Sequence, residues 1–79
     1  MNYETLIVTF AEPRMVVDTF FEDSRTWGVS TLKAWIDNYE STRFTWVDDR
    51  IAVITSEYNM PYVRAWLMQN MRIERITAE

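Results

Sequence analysis
Residues 13–21 read Pro-Arg-Met-Val-Val-Asp-Thr-Phe-Phe, and the conformation of this stretch decides the fold. Read as extended chain, Met15–Phe21 is a second strand, joined to Thr5–Phe10 through Ala11-Glu12-Pro13-Arg14. Read as a helix opened by Pro13, the same residues turn the chain away from the sheet. Val16-Val17 and Phe20-Phe21 are β-branched and aromatic, better strand formers than helix formers, so the sequence predicts the strand.

A weak internal match points the same way. With a shift of 36, Leu6–Glu22 aligns without a gap on Thr42–Tyr58, laying Thr9 on Thr45, Arg14 on Arg50, Val17 on Val53 and Thr19 on Thr55. With a shift of 31, Lys33-Ala34-Trp35-Ile36 matches Arg64-Ala65-Trp66-Leu67. The match reads either as an internal duplication, with repeats 5–40 and 42–71 and a closing strand 72–78, or as chance likeness between two hairpin–helix units. The second unit has strands Arg43–Val47 and Arg50–Thr55 around a short Asp48-Asp49 loop. Helices are expected from near Ser30 and from Asn59 or Met60, where Ser30 and Asn59 serve as N-caps and Pro61 suits a first turn. Their apolar stripes are Leu32, Trp35, Ile36 and Tyr39, and Met60, Val63, Trp66, Leu67 and Met71. The expectation is a single α+β domain over 1–79, ordered ββαββαβ, with two helices on one face of an antiparallel sheet. The helical reading of 13–21 gives the alternative order, a ferredoxin-like βαββαβ.

Composition limits the chemistry. The chain has no His, no Cys and one Gly, so a general-base imidazole, a thiolate, soft metal ligands and a glycine-rich phosphate loop are all missing. Asp48-Asp49 is expected to be a turn, and Ser30 with Lys33 a helix start rather than a Ser–Lys nucleophile. No catalytic, cofactor-binding or metal-binding residue is expected. The net charge of −4 opposes a basic nucleic-acid footprint. No apolar run approaches the length of a membrane span, and residues 1–10 lack the basic start of a signal peptide, so a cytoplasmic protein is expected.

What the composition favours is binding. Four Trp, four Tyr and four Phe fill the chain, and seven of its eight basic residues are Arg, a type favoured at interfaces. Two helices cover only one face of a sheet. Alternation assigns Leu6, Val8, Phe10, Met15, Val17, Phe44, Trp46, Ile51 and Val53 to the covered face. The other face would carry Thr5, Ile7, Thr9, Val16, Asp18, Phe20, Thr45, Val47, Ala52 and Ile54, half of them apolar where an open face should be mostly polar. Ile7, Val16, Phe20 and Ile54 are therefore candidate partner contacts. Arg25 and Trp27, in the loop before Gly28, and Met68, off the stripe of the second helix, are further candidates.

In general character (short, acidic, cysteine-free, one domain) the chain resembles small accessory proteins of bacteriophages and mobile elements. That resemblance implies a non-catalytic inhibitor or adaptor that binds a host protein, such as a defence or nucleic-acid-handling complex, in the host cytoplasm. The alternatives are a structural or regulatory homodimer pairing through the open sheet face, and a small ferredoxin-like ligand-binding domain.

Overall fold
The computed structural model describes residues 3–79. The stretch 13–21 is helical. Strand β1 (Glu4–Phe10) leads into α1 (Arg14–Asp18), a 3-10 turn (Thr19–Phe21), α2 (Ser24–Trp27) and α3 (Leu32–Asp37). Then follow β2 (Thr42–Trp46), β3 (Ile51–Ser56), α4 (Met60–Asn70) and β4 (Ile73–Ala78). The domain is α+β, with one four-stranded antiparallel sheet in the order β2-β3-β1-β4. That is the βαββαβ order of the split βαβ motif, and the expected second strand is absent from it.

Tertiary context overrides the strand propensity of Val16-Val17 and Phe20-Phe21. Both sides of β1 are taken, by β3 and by β4, so a hairpin partner for it has no place. Pro13 takes an extended conformation before the helix, and its carbonyl accepts from the N–H groups of Val16 (2.9 Å) and Val17 (3.0 Å). The Arg14 N–H donates to the Asp49 carbonyl at 2.7 Å, which ties the helix start to the β2–β3 loop. Val17 and Phe21, four residues apart, then share one face and are both buried.

The helices lie on one side of the sheet. The core is formed by Leu6, Val8, Phe10, Phe44, Ala52 and Ile54 from the strands and by Val17, Phe21, Leu32, Ile36, Met60, Val63 and Leu67 from the helical layer. Ser56 is the buried polar residue among those described. It is satisfied by the Thr42 hydroxyl at 2.8 Å and by the Asn59 N–H at 3.0 Å. The cap of α3 is Thr31 rather than Ser30, its hydroxyl accepting from the Ala34 N–H at 3.1 Å. Asn59 precedes α4 as expected, but its side chain donates to the Glu40 carbonyl instead of capping the helix. The 36-residue match lays α1 on β3, so those two stretches fold differently. The 31-residue match lays α3 on α4, and each of these helices precedes an edge strand.

One edge of the sheet is closed by side chains. Along β2, Phe44 turns its backbone outward, away from β3. Its N–H donates to Asp37 Oδ1 at 2.8 Å and its carbonyl accepts from Lys33 Nζ at 2.9 Å. Lys33 and Asp37 are also paired with each other at 2.8 Å, so one ion pair on α3 covers the middle of the edge. Lys33 is thereby committed to structure rather than to a Ser–Lys pair.

Candidate functional site
The face of the sheet away from the helices is bare among the described residues, and cross-strand register builds it in three rows. Arg43, Thr55 and Thr5 stand side by side, then Thr45, Val53, Ile7 and Thr77, then Ile51, Thr9 and Arg75. Val47 extends the last row, its N–H donating to the Ile51 carbonyl at 2.9 Å. Directly paired residues share a face, so these side chains form one surface. Its centre is apolar, from Ile7, Val53, Ile51 and Val47; threonine hydroxyls surround it, and Arg43 and Arg75 mark opposite corners. Ile7, Ile51 and Val53 are half-buried only by their neighbours, while Val47 is 57% exposed. At the Arg43 corner a groove of about 450 Å³ is lined by Tyr3, Ser41, Thr42, Arg43 and Thr55.

This face differs from the expected one in its β3 residues. Ile54 is fully buried in the core, as is Ala52, while Ile51 and Val53 are on the open side. The reason is a one-residue slip. A two-residue Asp48-Asp49 loop would set Trp46 and Phe44 opposite Ile51 and Val53. The observed pairs are Trp46 with Ala52 and Phe44 with Ile54, leaving three residues, Asp48–Arg50, in the loop between Val47 and Ile51. Shifting by one turns every side chain of a strand to the other face. Because Ile51-Ala52-Val53-Ile54 is apolar throughout, its own pattern carries no parity.

The other expected contacts scatter. Of Ile7, Val16, Phe20 and Ile54, Ile7 alone lies on the open face. Val16 is on α1, 41% exposed, at a groove between α1 and the end of α4 that Phe20 and Met71 also line. Phe20 is on the helical side, within an aromatic cluster. Its ring centroid is 4.8 Å from Trp27, 5.0 Å from Phe21 and 5.7 Å from Trp66. Trp35 joins the cluster, 5.3 Å from Trp27 and 5.5 Å from Trp66. Trp27 is thus a lid folded onto the core. Trp35 and Trp66 are only partly buried, where the sequence pattern gave them fully inward positions. Gly28, at a φ of 77°, ends α2 directly after Trp27 in the left-handed conformation that favours glycine. Arg25 is exposed on α2, and Met68 is 58% exposed on α4, away from both groups.

The titration shifts lie outside the open face. The Asp23 carboxyl is held below its ordinary range, chiefly by the Thr26 hydroxyl, which donates to Oδ2 at 2.7 Å. The Tyr58 phenol is pushed up by its hydrogen bond to Glu40. Tyr39 is raised by burial. Among the described residues, no group of three or more acidic side chains is gathered as a metal site would need. No helix among the described residues is long and apolar enough to cross a membrane. What the open face offers is recognition by burial of aliphatic surface, with hydroxyls and two guanidinium groups to orient a partner.

No curated protein and no solved structure matches the chain. One family model does, over residues 1–78, and its description is a domain of unknown function, DUF6956. With nearly the whole length matched, the chain belongs to the DUF6956 family.

Proposed function
We propose that this chain is a non-catalytic protein-binding module whose partner docks on the open face of the sheet. The observation that carries this reading is the bare aliphatic centre of Ile7, Val53, Ile51 and Val47, flanked by Arg43 and Arg75. An uncovered antiparallel face ordinarily alternates to polar residues, and a contiguous apolar patch on a small domain marks an interaction site. Threonine rims and corner arginines suit the edge of an interface, where polar groups fix orientation around a dry centre. The narrower form of the proposal is an inhibitor or adaptor of a host protein, acting in the cytoplasm. A protein partner is favoured over nucleic acid because the net charge is −4.

Photo-crosslinking from defined positions tests this. A crosslinking residue at Val53 or Val47 should give a discrete protein adduct in cells that make the chain. The same residue at Tyr62, exposed on α4, should give none. Equal adducts from Tyr62, or none from Val53 and Val47 in folded protein, would remove the open face from the proposal.

A further inference from the structure
The two edges of the sheet are finished differently. The β2 edge is closed by Lys33 and Asp37. On β4, the Glu79 N–H donates to the Thr5 carbonyl at 3.0 Å, continuing the register that sets Thr77 opposite Ile7 and Arg75 opposite Thr9. Hydrogen-bonding direction alternates along a strand, so Ile76 and Ala78 turn their N–H and C=O groups away from β1. Among the described residues, no turn, loop or side-chain hydrogen bond reaches those outward groups. The strand is irregular only at Glu74, where Phe10 pairs with Ile73 and Thr9 with Arg75. Beyond that bulge, Arg75–Ala78 is an unguarded edge on the same sheet whose opposite edge is capped.

We propose that this edge pairs antiparallel with β4 of a second copy, about a two-fold axis normal to the sheet at Thr77. Such an axis keeps the open faces of both copies on the same side, so only residues of equal parity can stand opposite each other. An axis at Glu74 or at Arg75 would set like charges against each other. An axis at Ile76 sets Arg75 opposite the partner's Thr77 and leaves it without a charge partner. The axis at Thr77 sets Arg75 opposite the partner's Glu79, twice over, and Ile76 opposite the partner's Ala78 with their outward backbone groups bonded. Neither Arg75 nor Glu79 has an ion-pair partner among the described residues.

The helical side supports the same contact. Arg64 of α4 lines a groove with Ala78 and Glu79, which puts it beside the β4 edge. Met68 follows one turn later on the same row of the helix, and α4 runs antiparallel to β4. The row therefore passes from the end of β4 toward its middle, carrying a methionine that is 58% exposed. Joining two copies edge to edge covers that side chain. It also sets the two open faces side by side as one surface. The proposal is independent of what docks on the open face.

Light scattering over a concentration series is the test. The wild type should reach twice the chain mass of 9.5 kDa. Ala78→Pro removes an outward N–H and leaves the ladder to β1 intact, so it should stay monomeric with an unchanged thermal melt. Arg75→Glu should also be monomeric, because two carboxylates then face each other. Arg75→Glu combined with Glu79→Arg should restore the dimer. A wild type that remains monomeric at millimolar concentration overturns the proposal. So does a dimer indifferent to both Ala78→Pro and Arg75→Glu, or one that the charge swap fails to restore.

Discussion

Removing the same three carbons from two isoleucines of β3 gives the sharpest test of the sheet's sidedness. Ile54 is fully buried, opposite Phe44 on one side and Leu6 on the other. Ile54→Ala loses the transfer free energy of its buried methyl and methylene groups and opens a cavity between two strands and the helical layer. The cost for such a site is about 2–5 kcal/mol. Ile51 is half-buried on the open face, where its neighbours are Thr9 and Val47 and nothing covers them. Full burial of an isoleucine is worth about 1.5–3 kcal/mol, so Ile51→Ala should cost about 1 kcal/mol, with no closed cavity to add to it. A small domain unfolds in urea with a slope of about 1 kcal/mol per molar. Ile54→Ala should thus lower the urea midpoint by about 2 M or more, and Ile51→Ala by about 1 M, in far-UV circular dichroism melts. Near-equal costs, or the larger cost at Ile51, would mean that the β2–β3 loop holds two residues and that β3 presents its other face to the helices.

The aromatic cluster makes Phe20→Ser a folding mutation. With three rings within 5.7 Å of its own and partial exposure, the change should cost about 2–3 kcal/mol and lower the melting temperature visibly. A melt matching the wild type would place Phe20 outside the cluster. Asp37→Ala removes the acceptor for the Phe44 N–H and strands Lys33 at the β2 edge. Increased aggregation in sedimentation or turbidity assays is expected, and unchanged solubility would show that the ion pair is not an edge guard. The Asp23 carboxyl titrates below its ordinary value of 3.8, so its contribution to stability is present above that value and fades as pH falls through the folded midpoint. Thr26→Val should return the midpoint toward 3.8 in carboxyl NMR titrations; a midpoint that stays depressed would locate the cause elsewhere.

The parts of the fold legible in the sequence are those whose patterns are local. β1 alternates cleanly, so Leu6, Val8 and Phe10 could be assigned inward and Ile7 outward from the residues alone. The fourth helix announces itself through Asn59, Pro61 and the spacing of Met60, Val63 and Leu67. The stretch 13–21 was not legible, because its conformation depends on β4, at the other end of the chain, occupying the free side of β1. Its residues prefer a strand and receive no vacancy in which to be one. The open face was half legible. Ile7 could be found by parity, but Val53 and Ile51 depend on the length of a loop, and the adjacent aspartates suggest one residue too few. Arg43 as a corner of the face follows from the same register. The closure of the β2 edge by Lys33 and Asp37 leaves no trace at short range, since a Lys and an Asp at i, i+4 look like an ordinary helix-surface pair.

The central position of β1 also sets the timing of biosynthesis. Its two neighbours are β3 and β4, and Leu6 meets Ala78, a residue made long after it. A ribosome adding about 5–20 residues per second delivers Leu6-Ile7-Val8 several seconds before either neighbour exists. For that interval an apolar strand of the nascent chain has nothing to pair with. The sheet therefore cannot close until β4 has been made, and factors that shield extended apolar segments during synthesis should raise the yield of folded protein.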